Sequence, residues 1–407
     1  MVKGPLRHNW GADSKALDEG LYNSSSGEKI RGDLKEFWAL ELKGIGRMET
    51  EKARKEINAI DGKIVELLNK RLGLAMKIGK EKKLKGEGVY DPAREEEIIA
   101  SLKEENKGNL RNDSLEVLFR EIFSISRNAQ QHITIACLGP QTTFSHVAAM
   151  KHFGSSANYE CLDSIKEVFT SVEKGEADMG IVPIENSLGG SVIYTYDMFM
   201  VSPLNIVAEI SEPISHNLIS PGRLQDIEKL YVHPQALAQC REWIAKNLPN
   251  AEIIEVSSTA KSVESAKIYL KSAGIGSELS AAHYGLNIVA KNIQDKENNV
   301  TRFLVIGKSR PKKAAKLGNK TSIMFTVKNE PGALFTALEP LKKLKVNMTK
   351  IESRPGNVKN WDYVFFVDVQ GYFEDEKISK ALAQMKKNTD MLRVLGSYPE
   401  KPMKSEN

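Results

Sequence analysis

The sequence changes character at residues 132–140, which read His132-Ile133-Thr134-Ile135-Ala136-Cys137-Leu138-Gly139-Pro140. This is a short apolar run that ends in a Gly-Pro pair, the pattern of a buried strand followed by a turn. The residues before it have a helical period, whereas strands alternate with helices after it. We therefore predict several domains, and a chain of 407 residues is also too long for one ordinary core.

The region before residue 132 is predicted to be all-helical from Glu49 to about Gln131. Asp91 and Pro92 are typical of the cap and first turn of a second helix over about residues 93–105, and a third helix is expected over 114–131. Three helices cannot easily enclose a core, so we expect a dimer. The first helix carries an apolar stripe with steps of three and four residues, namely Ile57, Ile60, Ile64, Leu67, Leu68, Ala75 and Ile78.

The region after residue 132 is predicted to be a mostly parallel, doubly wound α/β domain, which binds ligands at the carboxyl ends of its strands. Residues 309–319 are typical of a linker. Beyond the linker the order of elements is βαββαβ, which predicts a small α+β ferredoxin-like sandwich. The predicted strands of the α/β domain include 133–138, 179–182, 206–210, 229–232, 252–256 and 303–306.

These patterns predict a multidomain chain with four segments. Residues 1–47, with a linker-like stretch at 23–27, are interpreted as a tail or expression remnant without function. The domains are then 48–131, all-helical; 132–310, α/β; and 320–400, ferredoxin-like.

Composition excludes several functions. The net charge of +5 is spread along the chain without a basic and aromatic block, so we expect no nucleic-acid partner. No window is apolar enough for a membrane span. The three cysteines have neither disulfide nor zinc spacing, which indicates a reducing, cytoplasmic compartment. No G-x-G-x-x-G segment follows a strand, and we predict no metal and no cofactor.

The helical domain offers cations and amides but no nucleophile. Arg54 and Arg71 lie about five turns apart on one helix, hence roughly on one face. Taken singly, each cation could pair with a local glutamate such as Glu51 or Glu66. The polar residues in question are Arg54, Arg71, Lys82, Arg94, Glu95 and Gln130.

As a set, these residues resemble the all-helical chorismate mutase class, with matching text at 53–61, 68–71, 79–82 and 91–95. The resemblance implies that Arg71, Arg94 and a partner subunit's copy of Arg54 bind the carboxylates of chorismate. Lys82 and Gln130 would bond its ether oxygen. Glu95 and Ser126 would hold the hydroxyl end, and Asp91 is a further binding candidate. On the third helix, Arg127 and Gln131 remain alternatives.

Such a site suits a rearrangement that needs no acid, base or nucleophile. A Claisen-type reaction needs its substrate held in a compact conformer. It also needs fixed donors for the partial negative charge on the breaking C–O bond.

Three polar segments follow strands of the α/β domain, at 138–146, 182–191 and 298–303. Each has an ordinary explanation, because Gly, Ser, Thr and Asn are common in turns. The first segment also opens a helix, whose free amides make a carboxylate site.

Together these segments resemble prephenate dehydratase, most specifically through Thr301-Arg302-Phe303. The resemblance implies two lobes, like those of periplasmic binding proteins, with prephenate in the cleft between them. Thr301 would lie at the departing hydroxyl with Arg302 nearby. Thr142 stands where many relatives have glycine, and His216 and His233 are interpreted as packed histidines. The residues that would bind and position prephenate are Thr143, Ser145, Asn186 and Ser187.

The last domain resembles the ACT domain of phenylalanine-regulated dehydratases, through 329–335, 351–355 and 361–368. Pro-Gly before a helix is also ordinary turn chemistry. The resemblance implies that phenylalanine binds between two such domains at a subunit interface. Backbone groups of Gly332, Ala333 and Leu334 would hold its amino-acid end. The residues expected close by are Glu352, Ser353 and Arg354.

Two other functions remain open. Two lobes with an ACT domain could form a sensor without catalysis, although the mutase set and the Thr-Arg-Phe triplet argue against this. The chain could also act on arogenate, the aminated substrate, although a mutase on the same chain favours prephenate. The assembly is expected to be a homodimer or homotetramer.

Overall fold

The computed structural model describes residues 25–356 and 363–400, with side chains from residue 50 onward. Residues 1–24 of the predicted tail, and Trp361 and Asp362 of the predicted ACT motif, lie outside this range. The chain divides into two compact units, Met1–Gly73 and Leu74–Asn407. None of the helices in the described ranges is long and apolar enough to cross a membrane.

From residue 25 onward, three helices precede the first strand: α1 (Ser25–Leu84), α2 (Pro92–Glu105) and α3 (Asn112–Gln130). Helix α1 begins well before the predicted start at Glu49, because residues 28–49 contain no proline and many good helix formers. The predicted cap of α2 is confirmed, since the Asp91 carboxylate accepts a hydrogen bond from the Arg94 amide at 3.1 Å.

The central domain contains two lobes, as expected, each built on its own sheet. The six-stranded sheet has the order β2-β1-β3-β11-β5 with β4 paired to β3, and the five-stranded sheet has the order β10-β6-β9-β7-β8. The strands are β1 (Thr134–Leu138), β2 (Asn158–Leu162), β3 (Met179–Asn186), β4 (Gly190–Ser191), β5 (Asn205–Pro213), β6 (Asn217–Ser220), β7 (Lys229–Val232), β8 (Glu252–Glu255), β9 (Ser272–Gly276), β10 (Asn287–Ala290) and β11 (Val300–Gly307).

Both sheets are mixed, so the prediction of a mostly parallel sheet is wrong. The chain crosses to the second lobe after β5 and returns before β11, which therefore enters between β3 and β5 and runs antiparallel to both. In the second lobe, β6 runs antiparallel to β9 and β10. The helices are α4 (Phe144–Phe153), α5 (Ile165–Lys174), α6 (Ile193–Val201), α7 (Pro234–Gln239), α8 (Arg241–Asn247), α9 (Thr259–Ala266) and α10 (Glu278–Tyr284).

The C-terminal domain has the predicted βαββαβ order, with an antiparallel sheet β13-β14-β12-β15. One face of the sheet packs on its two helices around Phe325 and Met385. The other face joins the core of the first lobe, where Met324 and Phe366 meet Phe199. The elements are β12 (Asn319–Thr326), α11 (Ala333–Lys343), β13 (Met348–Pro355), β14 (Tyr363–Gln370), α12 (Glu376–Met385) and β15 (Met391–Pro399).

Candidate functional site

In the helical region, the structure places Lys82 and Gln130 on facing helices. Gly79 lies one turn before Lys82 on the same face of α1, and a Cβ at Gly79 would come within 2.4 Å of the Gln130 side chain. The Lys82 ammonium donates to the Val89 carbonyl at 3.3 Å. Gln130 Nε2 donates to the Ser126 carbonyl at 3.1 Å, while its Oε1 has no partner among the described residues. Gln130 of α3 therefore packs against α1 at Gly79, one turn from Lys82.

Glu95 is held in a buried ion pair. Its carboxylate accepts a short hydrogen bond from Arg127 of α3, and Arg120 lies 3.8 Å away. Arg127 also donates to the Phe153 carbonyl of α4 at 2.7 Å, which ties α3 to the first lobe. The alternative residue Arg127 thus serves as the partner of Glu95, and the structure turns Glu95 towards α3.

The other predicted mutase residues have simpler surroundings. In the first unit, Arg54 pairs with Glu51 at 3.0 Å on an exposed surface, as the simpler interpretation expected. In the second unit, Arg94 is exposed and Asp91 serves as the cap of α2. Ser126 is buried and donates to the Ile122 carbonyl at 2.7 Å.

In the central domain, Thr301 and Asn186 form a hydrogen-bonded pair across neighbouring strands. Asn186 Nδ2 donates to Thr301 Oγ1 at 2.9 Å. Asn186 Oδ1 accepts from the amides of Leu188 and Gly189, which fixes the orientation of its side chain. Because Thr301 Oγ1 accepts this bond, its own hydroxyl proton is directed away from Asn186.

A chain of amides continues from this pair into the second lobe. Asn186 Nδ2 also donates to Asn299 Oδ1 at 2.8 Å, and Asn299 Nδ2 donates to Gln239 Oε1 at 2.9 Å. The His216 ring lies 2.8 Å from the same Gln239 oxygen. Burial lowers the pKa of His216, so the ring is neutral at pH 7 and belongs to the packed polar chain, as predicted.

The lobes also meet at the turn before α4. Thr142 has a φ of 70°, in the left-handed region that favours glycine. Its hydroxyl accepts a hydrogen bond from Ser280 of the second lobe at 3.0 Å, and its carbonyl accepts one from Ser277 at 2.9 Å. These bonds hold the lobes together beside the cleft.

The remaining predicted cleft residues divide by role. Ser187 Oγ donates to the Asn298 carbonyl and accepts from the Val300 amide, so it ties the two segments together. Thr143 Oγ1 donates to the Leu138 carbonyl at 2.9 Å. Ser145 is buried in the first turn of α4, whose first amides lack intrahelical partners.

Arg302 does not lie with Thr301. Successive residues of a strand point to opposite faces, and Arg302 points away from the cleft towards the C-terminal domain. Its Nε donates to Glu209 at 2.8 Å and its Nη2 to Asp368 at 2.6 Å. The structure therefore does not bring Arg302 to the departing hydroxyl, where the resemblance implied it.

In the C-terminal domain, the predicted effector residues fall on two surfaces. Gly332 has a φ of 81° at the exposed start of α11, a conformation natural to glycine. Ser353 is exposed on β13. Glu352 and Arg354 instead face the central domain, where Glu352 accepts from Ser191 at 2.6 Å and Arg354 lies 3.5 Å from Asp197.

Sequence reasoning missed four residues of these networks. Gln239 and Glu209 are far from Thr301 in sequence and stand in no motif, whereas Asp368 ends the ACT-like segment 361–368, where nothing indicates a contact with Arg302. Asn299 lies in the polar segment 298–303, directly before β11, and this position could have identified it as a site residue.

Family models match the chain in the order of its domains. Chorismate mutase type II matches residues 53–131, prephenate dehydratase matches 135–311 and the ACT domain matches 321–386. These spans coincide with the helical, two-lobed and ferredoxin-like regions.

Individual relatives extend over nearly the whole chain. A bifunctional chorismate mutase/prephenate dehydratase of Aquifex aeolicus is 46% identical over 86% of this chain and 98% of its own length. One of Neisseria gonorrhoeae is 40% identical over 85% and 96%. The crystal structure of a prephenate dehydratase of Arthrobacter aurescens in complex with L-Phe is 34% identical, covers 66% of this chain and 90% of that one, and has a TM-score of 0.62. The chain belongs to the bifunctional chorismate mutase/prephenate dehydratase family.

Proposed function

We propose that this chain rearranges chorismate to prephenate in its helical region and converts prephenate to phenylpyruvate in its two-lobed domain, under feedback inhibition by phenylalanine. The observation that carries the proposal is that each matched domain presents the donors its reaction needs. Lys82 with Gln130 serves the first reaction, and Thr301 with Asn186 serves the second. Free cysteines support a cytoplasmic location.

In the mutase reaction, the Lys82 ammonium and the Gln130 amide stabilise the ether oxygen as its C–O bond breaks. Both groups are fixed before the reaction, which is what makes such donors effective. Arg71, Arg94 and the Arg54 of a second copy bind the two carboxylates and hold the compact conformer. Glu95, which is held by its ion pair with Arg127, binds the hydroxyl end of chorismate together with Ser126.

In the dehydratase reaction, the electron pair of the bond to the ring carboxylate moves into the ring and carbon dioxide leaves. The ring becomes aromatic, and hydroxide departs from the opposite carbon and leaves as water once protonated. Thr301 donates a hydrogen bond to this oxygen, because Asn186 already occupies its acceptor side. Threonine is too weak an acid to be the proton source. Thr143, Ser145 and the amides of α4 are the proposed carboxylate site.

The choice between prephenate and arogenate is tested by direct competition. We expect kcat/KM to favour prephenate, and a preference for arogenate would assign the two-lobed domain to the aminated substrate. A chain that binds these compounds but turns over none of them would be a sensor, and the proposal would fail.

We propose that the chain is a dimer or tetramer in which the apolar stripe of α1 is covered by a second copy. Ile57, Ile60 and Leu67 are 55%, 55% and 64% exposed within the first unit, although their spacing predicts a buried face. A second copy is the expected occupant because the carboxylate site needs an Arg54 from another subunit.

Ile64→Glu should therefore dissociate the mutase dimer and lower mutase activity at least about tenfold, because a charge would enter the apolar seam. Light scattering of the full chain measures the mass. The control is Lys55→Glu, about two and a half turns away on the opposite face, which should change neither quantity. A monomeric native chain with full mutase activity would contradict the assembly.

Phenylalanine should inhibit the dehydratase reaction through the ACT domain. Coupling between sites is reciprocal, so an unreactive prephenate analogue should weaken phenylalanine binding by the same factor by which phenylalanine weakens binding of the analogue. Calorimetric titrations in both orders measure this. Unchanged dehydratase activity up to millimolar phenylalanine would remove the sensor from the account.

A further inference from the structure

Strands β3 and β11 carry two polar pairs on opposite faces of the same sheet. Thr301 is paired in register with Asn186, and Arg302 with Glu185. The first pair is linked through Asn299 to Gln239 of the second lobe, and the second pair faces the ACT domain. Any displacement of this part of β11 that moves Arg302 must also move Thr301, since the two residues are adjacent on one stiff strand.

Arg302 is bonded to both domains. From the central domain it contacts Glu209 of β5, which is 3% exposed. From the ACT domain it contacts Asp368 of β14 at 2.6 Å and the Tyr398 hydroxyl of β15 at 3.3 Å. Arginine suits a bridge between two domains because the donors of its planar guanidinium group point towards separate partners.

The surrounding charges are balanced and shared between the domains. Lys320 of β12 donates to Glu209 at 2.8 Å, and Lys350 of β13 forms a short hydrogen bond with Glu185. A small cavity beside this network is lined by Arg302, Lys350 and Asp368, together with Tyr196, Ser322 and apolar side chains of both domains. The network has three cations and three carboxylates: Arg302, Lys320, Lys350, Glu185, Glu209 and Asp368.

Strand β13 extends the contact towards the predicted effector region. Lys350, Glu352 and Arg354 alternate along it, and each contacts a polar residue of the central domain. Motion of the ACT sheet would therefore reach β3 through Glu185 and β11 through Arg302. These are the two strands that hold Asn186 and Thr301.

We infer that Arg302 is a positioning residue that fixes Thr301 through its bonds to Glu209, Asp368 and Tyr398, and so makes the geometry of the dehydratase cleft depend on the ACT domain. The inference rests on the proposed role of Thr301 in the cleft. It gives the Thr-Arg-Phe triplet two functions, with threonine at the substrate and arginine at the domain interface.

The test compares Arg302→Lys with Arg393→Lys in the full chain. Arg393 also bridges the two domains, donating from β15 to the carbonyls of Ser202 and Leu204, but none of its hydrogen bonds given by the structure goes to β11. Arg302→Lys should lower the dehydratase kcat about tenfold with KM within about twofold. It should also raise the phenylalanine concentration for half inhibition at least about tenfold, while calorimetry still detects phenylalanine binding. Arg393→Lys should keep native values.

Native kcat and native inhibition in Arg302→Lys would overturn the inference, as would equal losses in Arg393→Lys. If Arg302→Lys does not fold, Asp368→Asn keeps Arg302 and nearly the same shape, and should still lose inhibition while it binds phenylalanine. Native inhibition in Asp368→Asn would also overturn it. Failure of the proposed role of Thr301 is seen separately, as full dehydratase activity in Thr301→Ala, and failure of the proposed function is seen as a native chain that forms no phenylpyruvate from prephenate.

Discussion

Lys82→Ala should lower the mutase kcat by about 10² to 10³-fold, the loss typical when one preorganised donor to a developing oxyanion is removed. Lys82 is the only cation proposed at the ether oxygen. The neutral Gln130 amide cannot replace its charge. The measurement is the initial rate of chorismate consumption at saturating substrate.

The dehydratase rate of the same Lys82→Ala protein is the internal control, and it should stay native because the two sites share no residue. Lys83→Ala is the matched variant. Lys83 is the next residue of α1 and is exposed, so its loss should leave the mutase kcat within about twofold of native. A Lys82→Ala protein with near-native turnover would remove this residue from the chemistry.

Thr301→Ala should lower the dehydratase kcat about 10²-fold or more, since it removes the donor proposed for the departing hydroxyl. The loss should appear in kcat more than in KM, because the bond to the leaving oxygen strengthens as negative charge develops there. Phenylpyruvate formation from added prephenate measures it.

Thr301→Ser separates the hydroxyl from the rest of the side chain. Serine can still accept from Asn186 and donate to the ligand, so its kcat should recover to within about tenfold of native. Mutase activity should be native in both variants. Undiminished dehydratase activity in Thr301→Ala would show that the cleft uses another donor.

The helical stripe, the cap at Asp91, the two lobes and the βαββαβ order were all predictable, because each depends on local spacing or on turn residues. The mixed sheets were not predictable in the same way. The direction of β11 depends on where the chain returns from the second lobe, which no local pattern records. The early start of α1 differs from the prediction because the helix formers of residues 28–49 extend the helix back to Ser25, which lies inside the linker-like stretch.

The candidate site was likewise predictable only in part. Thr301 and Arg302 are adjacent on a strand, so strand geometry alone implies that only one of them can face the cleft. Sequence did not reveal that the ACT domain lies behind that strand and supplies Asp368. The pairing of Glu95 with Arg127 is likewise a contact between separate helices, and only the packing of α2 on α3 defines it.

One chain is proposed to carry out two consecutive reactions at two independent sites. The most direct measurement supplies purified full-length protein with chorismate alone and follows chorismate, prephenate and phenylpyruvate together. We expect chorismate to disappear and phenylpyruvate to accumulate, with prephenate as the intermediate, and added phenylalanine to stop the second step. Chorismate left unconsumed, or prephenate that accumulates without any phenylpyruvate, would rule out the proposed function.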